Sequence, residues 1–259
     1  MSMADSIVTK LEREMMTQAQ VAMITGAASG IGQAVARQLA TQGYILHLVD
    51  LNAEALQQLQ LELTIQTQVY IYVGNVSDAT FIADVVDTIS SYGQGLDCAL
   101  NNAGMTSAAA SIDELQLDVW QQVLDVNLNS VFYCLKYQIQ LMKQHGRGGS
   151  IVNTSSMLGL IATKHRAAYV ATKHAVTGLS KAAALDGAEH QIRVNSIHPG
   201  YIETPLIAHL DAQALAAKHP VGRLGRSEEV ANLVGFLLSK QSQFVTGAQY
   251  VIDGGYSIQ

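Results

Sequence analysis

Only three prolines and two cysteines occur among the 259 residues. Two cysteines cannot build a disulfide framework. Cys98 and Cys134 fall in a strand-like and a helix-like stretch with no metal-ligand spacing, which points to buried thiols in a reducing compartment. The chain has no Pro/Ser-rich linker, repeat or low-complexity tract, which argues against two hinged domains. Positive charge is also short: the formal net charge is −6, with scattered Lys and Arg, which excludes a nucleic-acid-binding footprint. No apolar run approaches the ~20 residues that cross a bilayer. The opening MSMADSIVTKLEREMMTQAQ lacks the basic and apolar regions of a signal peptide, so a cytoplasmic protein is expected. Residues 1–19 read as an arm, either a frayed helix or a segment packed on a neighbouring subunit. The histidines form no ligand cluster, and no bound metal is expected.

What the chain has instead is apolar bulk, 49% of its residues, in segments that alternate between strand-like and helix-like. Strands are expected near 20–25, 44–50, 68–73, 96–100, 150–155, 191–197 and 248–252, with helices between them. Alternation of this kind makes a doubly wound parallel seven-stranded α/β sheet covered on both faces, one domain over 20–259. Ligands of such sheets bind at the carboxyl ends of the strands.

The first strand–helix junction carries chemistry. In QVAMITGAASGIGQAVARQLATQGYILHLVD an apolar strand leads into Gly26, Gly30 and Gly32, a helix over 33–42 and a second strand closed by Asp50. Glycines let the backbone turn sharply and let a pyrophosphate reach the free N–H groups of a helix N-terminus. The spacing is G-x-x-x-G-x-G, so the G-x-G-x-x-G fingerprint is not claimed, and tight helix–strand packing is the alternative reading. Asp50 lies where a carboxylate accepts hydrogen bonds from the adenosine ribose and repels a 2′-phosphate. No Lys or Arg stands in the loop or directly after Asp50, so the expected cofactor is NAD. The alternative is an ordinary strand-end or capping aspartate.

In AAYVATKHAV, Tyr169 and Lys173 are four apart in a helical stretch, so both emerge on one face. A phenol beside an ammonium loses its proton more easily than free tyrosine, whose pKa is ~10. Isolated, such a pair is more often a packing or solvated pair than a catalytic one.

With TGAASGIG at 25–32, NNAG at 101–104, Asn127 in DVNLNS, Ser156 in NTSS, Tyr169-x-x-x-Lys173 and HPGYIETP at 198–205, the chain resembles a compact, single-domain short-chain dehydrogenase/reductase from about Gln20 onward. The resemblance implies a Rossmann-type fold and a catalytic set of Asn127, Ser156, Tyr169 and Lys173. Tyr169 would be the general acid/base, Ser156 would bond the substrate oxygen, and Asn127 would help hold a water behind Lys173. Lys173 would lower the phenol pKa and hold the nicotinamide ribose. Cofactor contacts implied are Gly26, Ser29, Gly30, Ile31, Gly32, Asp50, Leu51, Asn75, Val76, Asn102, Ala103, Gly104, Tyr169, Lys173, Pro199, Gly200, Ile202 and Thr204. Many family members carry Asp where this chain has Asn75, whose amide oxygen is expected to serve the adenine instead. Asp78 reads as a helix N-cap.

Substrate contacts implied are Ser156, Leu158, Tyr169 and Tyr201, with Met105, Gly159 and His165 as further walls. A mobile lid is expected over about 201–222. The mostly apolar walls favour a small or medium secondary alcohol or ketone. A long helix over 115–145 and the C-terminal GAQYVIDGGYS resemble the family's subunit contacts, so a homotetramer is expected. Two alternatives stand beside the NAD-dependent dehydrogenase. One is a 3-oxoacyl-[acyl-carrier-protein] reductase, against which Asp50, Asp186 and Glu189 argue and for which Lys143 and Arg147 speak. The other is a non-catalytic NAD(H)-binding sensor or scaffold.

Overall fold

The computed structural model describes residues 19–259. The N-terminal arm expected over 1–19 therefore lies almost wholly outside the described residues.

Seven strands form one sheet in the order β3-β2-β1-β4-β5-β6-β7, and every neighbouring pair is parallel. They are β1 (Val21–Thr25), β2 (Ile45–Asp50), β3 (Val69–Val73), β4 (Cys98–Asn101), β5 (Gly149–Thr154), β6 (Ile192–Pro199) and β7 (Gln249–Ile252). The helices are α1 (Gly30–Thr41), α2 (Ala53–Leu63), α3 (Ala79–Ser91), α4 (Leu117–Leu124), α5 (Ser130–His145), α6 (Ala167–Ala188), α7 (Ala212–Ala216) and α8 (Ser227–Leu238). β1 is buried along its whole length because both of its faces are covered. Ala22 and Ile24 pack with α1, α2 and α8, while Val21 and Met23 pack with α3, α5 and α6. The strand order reverses between β1 and β4, which opens a crevice at their carboxyl ends.

A buried amide network fixes the sheet centre. Asn101 Nδ2 donates to Gln138 Oε1 (3.0 Å) and Asn153 Oδ1 (2.9 Å), and Gln138 Nε2 donates back to Asn101 Oδ1 (2.9 Å). Asn153 Nδ2 donates to Ser180 Oγ (2.9 Å). Four elements, β4, α5, β5 and α6, are thus tied together where no water competes.

Several expected boundaries move. α1 starts at Gly30 instead of residue 33, because tertiary packing overrides the poor helix propensity of glycine. The fourth strand is Cys98–Asn101 instead of 96–100, entering the sheet after Asp97 accepts the Val21 N–H (2.9 Å). The helix expected over 115–145 starts at Leu117, and a π-helical turn over Asp125–Asn129 interrupts it. Asp78 does cap α3, accepting the N–H groups of Thr80 and Phe81 (2.9 and 3.3 Å). Among the described residues no helix is long and apolar enough to cross a membrane.

Candidate active site

A trench of about 840 Å³ runs along the carboxyl ends of the strands. Its first wall is the glycine loop. Thr25 Oγ1 accepts the N–H groups of Asn102 (3.0 Å) and Ala103 (3.2 Å), and Asn102 Nδ2 donates to the Gly26 carbonyl (3.2 Å). A Cβ on Gly32 would lie 2.1 Å from the Gly26 carbonyl oxygen, so only glycine closes this turn. Gly30 has φ +52° and approaches Thr204, whose Cγ2 would be 2.8 Å from an added Cβ. Ser29 precedes α1 without a side-chain cap, which leaves the first-turn N–H groups free for an anionic ligand.

At the end of β2 the Asp50 carboxylate accepts the Ala28 N–H (2.9 Å) and the Asn52 N–H (3.0 Å). This holds its charge at the trench wall beside Leu51. Asn75 and Val76 line the same end. The Asn75 amide oxygen already accepts the Ser77 N–H (3.0 Å), so one of its two lone pairs is spent locally.

The other end gathers Ser156, Tyr169 and Lys173. Ser156 opens a short 3₁₀ turn and its Oγ accepts the Leu158 N–H (3.1 Å). The buried His198 braces it from behind, with Nδ1 2.9 Å from the Ser156 carbonyl and Nε2 3.0 Å from Ser196 Oγ. Tyr169 and Lys173 share one face of α6, with Nζ 5.6 Å from the phenol ring centre. That Nζ donates to the Thr154 carbonyl (2.8 Å). Burial pushes Lys173 down to about 8 and pushes the Tyr169 phenol up from its ordinary value. The Ser156 hydroxyl, and more weakly the Arg166 charge, pull the phenol back down.

Asn127 sits fully buried in the π turn, behind the trench instead of in its lining. Its amide clamps the Met105 backbone, accepting from N–H (2.8 Å) and donating to the carbonyl (2.9 Å). Neighbouring Asn129 instead donates to Asp125 on its own helix (2.7 Å).

Pro199, Gly200, Tyr201, Ile202 and Thr204 complete the lining, and the expected lid over 201–222 folds as a 3₁₀ turn (Pro205–Ile207) and α7. His219 joins the lid's ends: its Nδ1 lies 3.0 Å from the Leu215 carbonyl, and its Nε2 accepts the Tyr201 N–H (3.3 Å).

A family model described as enoyl-(acyl carrier protein) reductase matches residues 26–257. A cyclohexanol dehydrogenase from Acinetobacter sp. (strain SE19) is 46% identical over 240 residues, 92% of this chain and 95% of that protein. The chain belongs to the short-chain dehydrogenase/reductase family. A cis-4-hydroxycyclohexanecarboxylate dehydrogenase from Sinomonas cyclohexanicum is 38% identical, covering 92% and 96% of the two chains. A 3-oxoacyl-[acyl-carrier-protein] reductase from Thermotoga maritima is 38% identical, covering 94% and 100%. The crystal structure of a short-chain type dehydrogenase/reductase from Mycobacterium marinum superposes with a TM-score of 0.89 at 35% identity, covering 93% and 97%. This short-chain dehydrogenase/reductase is thus an oxidoreductase that acts on CH–OH groups with a nicotinamide cofactor.

The residues present fit such a cofactor: the tight glycine turn, the uncapped α1 and the carboxylate at β2 follow one another along a single wall. Apart from Gly32 and Asn127, every residue expected to contact cofactor or substrate lines the trench. Gly159 and His165, expected as walls, do not. Gly159 packs instead against Ser155 and the Lys173 backbone. Gln122, Thr163, Lys164 and Arg166 line the trench without having been expected there. The run TKHRAAY held a signal for the last two, in cations placed immediately before the tyrosine helix.

Proposed function

We propose that this enzyme is an NAD(H)-dependent dehydrogenase that interconverts a secondary ring alcohol and its ketone. The observation that carries the reading is the convergence of Ser156, Tyr169 and Lys173 at one end of a trench whose far end is Asp50. The walls beside Ser156 are mostly apolar: Met105, Met157, Leu158, Leu206 and Leu210. Such walls suit the carbocyclic alcohols for which two of the relatives are named. Asp50 supports NAD over NADP, since its fixed negative charge would face a 2′-phosphate.

When bound, the nicotinamide cofactor takes up or gives back the hydride. The chain handles the proton. In oxidation the Tyr169 phenolate accepts the hydroxyl proton as the C–H bond breaks, and Ser156 Oγ donates a hydrogen bond to the same oxygen. Lys173, whose pKa burial lowers to about 8, holds its ammonium 2.8 Å from the Thr154 carbonyl and beside the phenol. Asn127 keeps Met105 and the adjoining Gly104 in place opposite that ammonium. A Cβ on Gly104 would meet Asn127 Oδ1 at 3.4 Å and Lys173 Nζ at 3.6 Å.

A homotetramer in the cytoplasm belongs to the same proposal. Exposed Leu117, Phe132 and Leu185 on the helices, with Val251 and Ile258 at the C-terminus, supply the apolar faces it needs. The carrier-protein reductase reading loses one of its basic residues, because Arg147 pairs with Asp97 (3.1 Å).

The test follows reduced-nicotinamide absorbance with NAD⁺ or NADP⁺ and a panel of cyclic and acyclic secondary alcohols. Turnover with NAD⁺ and ring alcohols is expected, and Tyr169→Phe abolishes it while cofactor binding persists. Activity confined to NADPH and 3-oxoacyl thioesters would refute the proposal.

A further inference from the structure

The substrate end of the trench is electrostatically one-sided. Lys164, Arg166 and Lys173 line it, while Asp50, at the far end, is the only carboxylate residue in the lining. Lys173 gives one of its three N–H donors to the Thr154 carbonyl and stands beside Tyr169, away from Arg166's own partners Thr106 and Ser107. Arg166 and Lys164 make no ion pair among the described residues.

Arg166 is held in place. Its Nη1 donates to Thr106 Oγ1 (3.1 Å) and to the Ser107 carbonyl. Its backbone forms a bridge with Ala110, whose N–H donates to the His165 carbonyl (3.3 Å). His165 adopts φ +63°, a left-handed conformation that strains a non-glycine residue and persists only where surroundings impose it. The Nε and Nη2 donors have no protein partner among the described residues, and no Arg166 nitrogen is a buried, unpartnered atom. They therefore remain open to a ligand. A half-buried guanidinium with two unspent donors, three residues before the general acid/base, presents the planar fork that a carboxylate matches.

We infer that this end of the trench receives the carboxylate of a ring hydroxy acid, with Arg166 pairing the acid and Lys164 adding a second, mobile charge. The inference rests on the ring-alcohol reading for the body of the substrate and adds an anionic group to it. Apolar Met105, Leu158 and Leu206 flank the ring while the acid turns toward Arg166. A carboxylate is favoured over a phosphate because the open Nε and Nη2 of Arg166 offer two coplanar donors for two coplanar oxygens, while the charge of exposed Lys164 is screened by solvent.

The test is isothermal titration of the NAD⁺-loaded enzyme with cyclohexanecarboxylate and, as an uncharged match in size, cyclohexanecarboxamide. The acid is expected to bind about tenfold more tightly, the worth of one charge-assisted hydrogen-bonded pair. The advantage should shrink with salt, vanish in Arg166→Gln and survive in part in Arg166→Lys. In Lys164→Gln, a change at an exposed position, it should fall a few-fold. Equal affinity for the two probes in the unaltered enzyme, or an advantage that Arg166→Gln leaves intact, would overturn the inference. Turnover of cyclohexanol and of 4-hydroxycyclohexanecarboxylate, measured in parallel, separates the two claims. Turnover without an acid advantage sinks the anion site alone, whereas no turnover of either cyclohexanol or 4-hydroxycyclohexanecarboxylate sinks the ring-alcohol reading and this inference with it.

Discussion

Replacing Lys173 by Met should remove activity and yet make the cofactor-free protein more stable at neutral pH. The ammonium is almost completely buried, and burial brings its pKa from 10.5 to about 8. At a pH below both values the lysine stays charged in the folded and unfolded chains, and the folded state carries the whole penalty. At 1.36 kcal/mol per pH unit that difference is about 3 kcal/mol. The hydrogen bond to the Thr154 carbonyl returns roughly 1 kcal/mol, and methionine loses it. The net gain for Lys173→Met at pH 7 is therefore about 2 kcal/mol, with the apolar stem preserved. The folded protein binds fewer protons than the unfolded chain between pH 8 and 10.5, so wild-type stability rises through that window. The advantage of the variant must fall over the same range. Urea denaturation of both proteins without cofactor, at pH 7 and near pH 10, measures the difference. A variant less stable than wild type at pH 7, or a difference that does not change with pH, would refute the reasoning.

Three further outcomes follow from the same geometry. Asp50→Ala should loosen NAD binding and weaken discrimination against NADP, and by freeing the Ala28 and Asn52 N–H groups it should cost about 1–2 kcal/mol of stability. An unchanged cofactor preference in paired kcat/KM measurements would remove Asp50 from the selectivity argument. Asn153→Leu should destabilise by roughly 2–3 kcal/mol in chemical denaturation, because Asn101 and Ser180 lose buried partners. Alcohol oxidation should accelerate as pH rises through the alkaline range, since burial holds the Tyr169 phenol above its ordinary value and the proposed working form is the phenolate. A flat kcat profile there would place the proton acceptor elsewhere.

Local pattern carried the fold class and most of the site. A fully buried β1, a glycine turn that tolerates no Cβ and a Tyr–Lys pair at helical spacing each follow from short-range chemistry, so each was legible in the residues themselves. The same holds for Asp50, fixed by its distance from the glycines, and for the Asp78 cap. Other features depend on groups distant in sequence. The π turn that withdraws Asn127 from the trench to clamp Met105 breaks a helix whose pattern runs on unbroken. His198 reaches back 42 residues to brace Ser156, and Asn101, Gln138 and Asn153 meet only when three elements are packed. Arg166 joined the site only once the loop at 106–107 met its guanidinium. Periodicity and turn chemistry act within one or two helical turns, so the sequence alone determined which elements form and which motifs they carry. Long-range packing and burial decided which side chains face the trench, which stand behind it and which charges meet there without a partner.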